Sequence, residues 1–283
     1  MKNKIIIAAD STCDLSPELI EKYNIEIIPL PVNLGDKPCL DGVDVSVDDV
    51  FNYFETTGEL ATTSAPTVEY YEDFYKKWTD EGYTVVHTSI SLKFTVTHNI
   101  AQQAAAKFPG VYPIDSHSIS SGMGLLAIYG AKLRDEGLEG WQIAEQLRKE
   151  ADNMHVSFVL DTLKYMRKGG RCSGVAAFGA NMLNLKPCLE TRDAALVVKK
   201  KYRGKLENVL MQYAEETISS EEKIDKSILI IAHSGVDHKI LKAVKKRCSE
   251  LIDFEEVYEC KTGCSVSVHC GPNTLGLVFA VKS

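Results

Sequence analysis

Near the amino terminus five apolar residues in a row, Ile5-Ile6-Ile7-Ala8-Ala9, run into Asp10. Apolar on both faces, the run predicts a fully buried strand over 4–10. Ser16-Pro17-Glu18 then opens a helix: serine caps the free amides, proline suits the first helical position, and glutamate favours the positive end of the dipole. A second strand is expected at 25–34. Apolar residues recur at helical spacing over 45–57 and 67–81, the latter opened by another hydroxyl cap. Short apolar runs at 83–88, 111–114 and 156–160 read as strands, with helices between them at 95–107, 121–136 and 138–154. Strands that alternate with helices imply a parallel, doubly wound α/β sheet.

The rhythm changes after about residue 155. Segments 188–192 and 195–199 flank Asp193 like a hairpin. A helix from Lys205, a strand at 228–232, a helix at 237–251 and closing strands at 254–260, 265–269 and 275–281 follow. Adjacent strands with few intervening helices suggest an α+β domain with a mostly antiparallel sheet. The expected organisation is therefore an N-terminal α/β domain over 1–155 and a C-terminal α+β domain over 156–283. No linker or low-complexity segment separates them, which points to a ligand site near their junction.

Composition narrows the function classes. At 283 residues with 45% hydrophobic and 25% charged residues, the chain has ordinary globular proportions. A net charge of −7 argues against nucleic acid, whose binding needs clustered Lys and Arg. The apolar run at 5–9 is too short for a signal-peptide core and no stretch reaches membrane-spanning length, so a cytoplasmic location is expected. Eight cysteines are then reduced thiols by default. Cys260, Cys264, His269 and Cys270 lack the spacing of a zinc ribbon, and on a strand His269 and Cys270 would point apart; no metal site is expected.

The candidate chemistry lies in hydroxyls, one histidine and a few cations. Thr63, in Thr63-Ser64-Ala65-Pro66-Thr67, and Thr95, in Ser89-Ile90-Ser91-Leu92-Lys93-Phe94-Thr95-Val96-Thr97, precede or begin predicted helices, where free amides favour an anion. Plain helix capping accounts for both equally well. His269, in Ser267-Val268-His269-Cys270-Gly271-Pro272, either donates to the same anion or serves the fold. Arg171 follows Lys168-Gly169-Gly170 and suits bidentate contact with phosphate, or is ordinary surface charge. Arg203, in the basic run Lys199-Lys200-Lys201-Tyr202-Arg203-Gly204-Lys205, is a possible phosphate or partner contact. The loops Asp10-Ser11-Thr12-Cys13-Asp14 and Asp115-Ser116-His117-Ser118 follow strands, at the sheet edge where ligands sit, although turn chemistry alone explains them. Gly122-Met123-Gly124-Leu125-Leu126-Ala127 matches GxGxxA, but a long polar loop separates it from its strand, so close helix packing is the better reading. Neither a GxxxxGK[ST] loop nor a GxSxG elbow is present.

Taken in order, Asp10-Ser11-Thr12-Cys13-Asp14-Leu15, Thr63-Ser64-Ala65-Pro66-Thr67, the stretch 89–101, Ile114-Asp115-Ser116, Gly169-Gly170-Arg171, Leu185-Lys186-Pro187 and His269-Cys270-Gly271-Pro272 resemble the DegV family of bacterial fatty-acid-binding proteins, the acyl-carrying component of fatty acid kinase systems. The resemblance spans essentially the whole chain. It implies a two-domain α/β protein that buries a long-chain fatty acid in a tunnel, with the carboxylate held at the domain junction by Thr63, Thr95 and His269. It also implies presentation to a separate ATP-dependent kinase subunit for acyl-phosphate formation, with Arg171 supporting transfer, and neither a cofactor nor independent catalysis. Val96 stands where the family has glycine, and Asn273 where a glycine commonly follows the Gly-Pro pair. A lipid sensor without phosphoryl transfer and a Ser/Thr-His hydrolase are the competing functions. Phe51, Phe54, Tyr71, Phe74 and Phe94 are candidate tunnel walls or ordinary core.

Overall fold

The computed structural model describes residues 4–170 and 185–282. Strand β1 (Ile5–Asp10) leads through a short turn to helix α1 (Pro17–Tyr23), capped by Ser16 as its sequence predicts, and to β2 (Ile25–Ile28). Next come β3 (Pro31–Leu34), β4 (Lys37–Leu40), α2 (Val47–Thr57), β5 (Thr62–Thr63) and α3 (Val68–Thr79). The chain continues as β6 (Thr84–Ser89), α4 (Thr97–Ala105), β7 (Val111–Asp115), α5 (Ser121–Asp135) and α6 (Gly140–Glu150). Then follow β8 (Met154–Val159), α7 (Lys164–Lys168), β9 (Leu185–Arg192), β10 (Ala195–Arg203), α8 (Leu206–Ser220) and β11 (Ile224–Ser234). Helix α9 (His238–Leu251), β12 (Glu256–Lys261), α10 (Cys264–Cys270) and β13 (Thr274–Val281) complete it.

The strands form three sheets. The first is parallel, in the order β2-β1-β6-β7, with Ile7 opposite Ile25 and Val86 and with helices on both faces. The second has six strands, β10-β9-β8-β13-β11-β12, antiparallel throughout except for the β11–β12 pair. The α/β class, with a parallel doubly wound sheet followed by a mostly antiparallel one, is as the sequence predicts. A small antiparallel sheet, β4-β3-β5, was not foreseen.

Two strand predictions are corrected. The run 25–34 is two strands in two sheets, because Pro29 and Pro31 lack amide donors and no ladder passes through Ile28-Pro29-Leu30-Pro31. Segment 265–269 is not a strand but helix α10. Its Ser-Val-Ser-Val alternation is too short to separate the two periods, and the buried carboxylates of Asp14 and Asp41 accept hydrogen bonds from the backbone amides that open the helix.

Helix α5 joins the two large sheets. Its buried residues cover most of its circumference, and one continuous core contains Ile7 and Val86 of the first sheet, Leu126 of the helix, and Ile230 and Val278 of the second. Glycine permits this approach. A Cβ at Gly122 would stand 2.2 Å from Val156 Cγ2, and one at Gly124 would stand 2.6 Å from the Cys13 carbonyl oxygen. The GxGxxA segment is thus a packing device, as expected.

Candidate functional site

A cavity of about 510 Å³ opens between the parallel sheet and the six-stranded sheet, in the size range of small-molecule sites. One wall is the inward face of the second sheet, read at alternate positions: Val156 and Phe158 on β8, Gly276 and Val278 on β13, and Ala232 on β11. The opposite side comes from loops at the carboxyl edge of the first sheet, with Thr12, Ile90, Phe94 and Thr95, where ligands of open α/β sheets sit. Helix α10 and the segment from Thr63 to Ala65 close a third side.

Thr63 and His269 meet here. Thr63 Oγ1 and His269 Nε2 lie 3.1 Å apart across 206 residues of sequence, sharing a hydrogen bond whose direction follows the imidazole tautomer. The geometry behind this pairing differs from the expectation. Thr63 precedes α3, which Thr67 caps as expected, but Thr63 itself lies on β5, paired to Val32 of β3, and not at the helix terminus. His269 occupies the last turn of α10 rather than a strand. On a helix, His269 and Cys270 are separated by about 100° instead of pointing to opposite sides.

Thr95 lines the same cavity, two residues before α4 begins rather than within the helix. Its hydroxyl lies 2.8 Å from Thr97 Oγ1 and accepts from the Thr97 amide at 3.3 Å. Both the capping role and the cavity-facing role are therefore compatible with its place. Neighbouring Val96, at the position where glycine was noted, is 59% exposed and is not among the described lining residues, so its branched side chain does not fill the cavity.

No Asp, Glu or Arg stands among the described lining residues; Lys93, Thr63, Thr95, Thr97 and His269 supply donors without a competing carboxylate. Of the five proposed aromatic walls only Phe94 is among them. Phe51 and Phe54 pack on Tyr165, while Tyr71 and Phe74 belong to the core under α3. Sequence reasoning missed the true wall residues, although the two-residue period of Val156 and Phe158 and of Gly276 and Val278 marks one sheet face.

The first sheet holds its loops through a buried network. Asp10 accepts from Tyr71 at 2.6 Å and from the Ile90 amide at 3.2 Å, and lies 3.0 Å from His87 Nε2. Burial, with the Asp10 charge added, keeps the Tyr71 phenol well above its usual range. In the other strand-end loop, Asp115 and Ser116 bond to backbone amides two residues on, which is turn chemistry.

Arg171 lies outside the described residues, although Gly170 beside it in sequence lines the cavity. Arg203 is exposed at the end of β10, and no described cavity contact includes it. Among the described residues no His, Cys, Asp or Glu group could hold a metal ion, and no helix is long and apolar enough to cross a membrane. The described cysteines are buried free thiols, and burial pushes Cys260 up to about 11 and Cys270 up to about 12.

Fold and site together define an α/β protein that encloses an apolar-walled cavity with a hydroxyl-imidazole pair at its edge. The DegV family model matches residues 4–282, and the chain belongs to that family. A DegV domain-containing protein of Clostridium acetobutylicum is 30% identical over 99% of both chains. Among solved structures, a DegV family protein from Thermus thermophilus described for its fatty acid binding superimposes with a TM-score of 0.88 at 26% identity, covering 99% of this chain and 100% of its own. A stearic acid-binding protein from Eubacterium ventriosum gives a TM-score of 0.85 at 26% identity, over 99% and 98%.

Proposed function

We propose that this protein binds a long-chain fatty acid in the cavity between its two large sheets, with the carboxylate at Thr63, His269 and Thr95, and presents it to a separate ATP-dependent kinase. The observation that carries the binding reading is the Thr63–His269 pair at the edge of an apolar-walled cavity. Relatives described as fatty-acid- and stearic acid-binding share the fold over nearly the whole chain, which supports the same ligand class here.

Physical chemistry divides the labour. Each buried methylene contributes about 0.8 kcal/mol before ordering costs, so the chain supplies affinity while the head group needs orientation. Lys93, the cation among the described lining residues, is exposed, so hydroxyl and imidazole donors hold a carboxylate without burying a fixed cation against it, which leaves its oxygen nucleophilic toward a γ-phosphate. Arg171 is the proposed neutraliser of phosphate charge during transfer, and Arg203 a proposed contact for the phosphate or the kinase. The Arg171→Ala variant is expected to bind fatty acid normally and to lose acyl-phosphate formation with a cognate kinase; loss of binding as well removes that assignment.

Native mass spectrometry of the purified protein, followed by denaturing extraction, tests the binding reading. A stoichiometric fatty acid supports it and names the chain length. A protein that is empty and also refuses added fatty acids refutes it.

A further inference from the structure

The first turn of α10 is held by two buried carboxylates that arrive from different parts of the chain. Asp14, in the turn after β1, accepts from the Gly263 amide at 2.7 Å. Asp41, just after β4, accepts from the Cys264 amide at 2.8 Å and the Ser265 amide at 3.0 Å, one oxygen to each. Both aspartates are 4% exposed. Gly263 sits between them, where a Cβ would come within 3.2 Å of an oxygen of each.

Each carboxyl group is held in turn by a serine, and one of these serines lines the cavity. Ser120 lines the cavity and donates to Asp14 Oδ2, and Ser11 donates to Asp41 Oδ2 at 3.2 Å. Ser120 adopts φ 55° and ψ −145°, a conformation that a residue with a side chain rarely takes and that collects at functional sites. One capping side chain is the usual way to start a helix; two buried carboxyl groups for so short a helix cost desolvation and need a further reason. His269 is six residues from Gly263, roughly 9 Å along the axis, so a slip or rotation of the helix carries the imidazole away from Thr63.

We propose that Asp14 and Asp41 are positioning residues of the head-group site: gripping the amides that open α10 from two different sheets, they fix the rotation and height of the helix and so the Thr63–His269 pair. The proposal rests on the reading of that pair as the carboxylate site. Burial pushes the Asp14 carboxyl up to about 8, so its neutral form predominates at pH 7 and asparagine is the nearest isostere. Asp41 has no such substitute, because its two oxygens each accept from a different amide and asparagine would turn an NH2 donor toward one of them.

The test compares Asp14→Ala, Asp14→Asn and Asp41→Asn with the unmodified protein by stearate titration and by ¹⁵N NMR of the His269 imidazole, assigned with His269→Gln. Asp14→Ala and Asp41→Asn are expected to raise the stearate Kd roughly tenfold or more and to shift the His269 resonances. Asp14→Asn is expected to restore what Asp14→Ala loses. Folded variants with a lowered Tm but the original Kd and His269 resonances overturn the proposal, since a purely structural cap predicts that result. Should Asp14→Ala not fold, Ser120→Ala and Ser11→Ala loosen each carboxylate without removing it and are read in the same way. If the unmodified protein binds no stearate, the functional reading fails, and the His269 resonances still decide the positioning role.

Discussion

Thr63 and His269 show how much one contact can carry. Replacing Thr63 by valine keeps the side-chain shape and removes the hydroxyl facing the imidazole. Loss of a hydrogen bond to a charged group costs about 1.5–3 kcal/mol, so Thr63→Val and His269→Ala are each expected to weaken fatty-acid binding by roughly 10- to 100-fold, read by titration. Two other buried groups contribute to the pH dependence of stability in opposite senses. His155 stacks on Phe279 at 4.4 Å, and burial, with Lys199 nearby, lowers it from 6.5 to about 4. Between those values the unfolded chain takes up a proton that the folded protein refuses, so this contribution is present above 6.5 and lost as pH falls toward 4. Asp14 works in the opposite sense. Raised from 3.8 to about 8, it keeps its proton in the folded state, so its contribution is full below 3.8 and lost as pH rises toward 8. Thermal denaturation across pH 4–8 is the check: His155→Gln should flatten the acid limb and Asp14→Asn the alkaline limb.

The elements differ in how readily their sequences declare them. Helix α2 carries a complete capping box between Ser46 and Asp49, and α3 a threonine cap, and both appear within two residues of where capping and periodicity predict. Helix α10 was misread because five alternating residues fit a strand as well as a helix, and the partners that decide the matter, Asp14 and Asp41, stand more than 220 residues away. Helix α5 gives an element-scale prediction. Alanine at Gly122 would place Cβ against Val156 and Ser118, in a helix pressed between two sheets. Overpacking of this kind costs typically 1–3 kcal/mol, so Gly122→Ala should lower Tm despite the better helix propensity of alanine.

At the scale of the molecule, the core around α5 runs without a break from the parallel sheet to the six-stranded one. Two domains with separate cores would unfold in two steps, whereas a shared core couples them. Calorimetry is expected to show one cooperative transition, shifted upward by added fatty acid because ligand that binds only the folded state stabilises it by mass action. The ligand-free and ligand-bound curves should each keep a single peak, and resolved transitions in either would contradict the coupling.

Much of this was legible in the chain alone. Apolar runs, caps and turn residues determined the α/β class, the change from parallel to antiparallel pairing and most helices, because those signals are local and depend on backbone geometry within a few residues. The ordered motifs identified the family and drew attention to Thr63, Thr95 and His269, which the fold brings to one cavity. Tertiary structure alone decided that Thr63 sits on a strand of a small third sheet and His269 on a helix, that Phe94 rather than four other aromatics lines the cavity, and that two distant aspartates hold the helix that carries His269. Each of these depends on which distant groups meet once the sheets pack, and hydrogen bonds across more than 200 residues leave no periodic trace in the sequence that forms them.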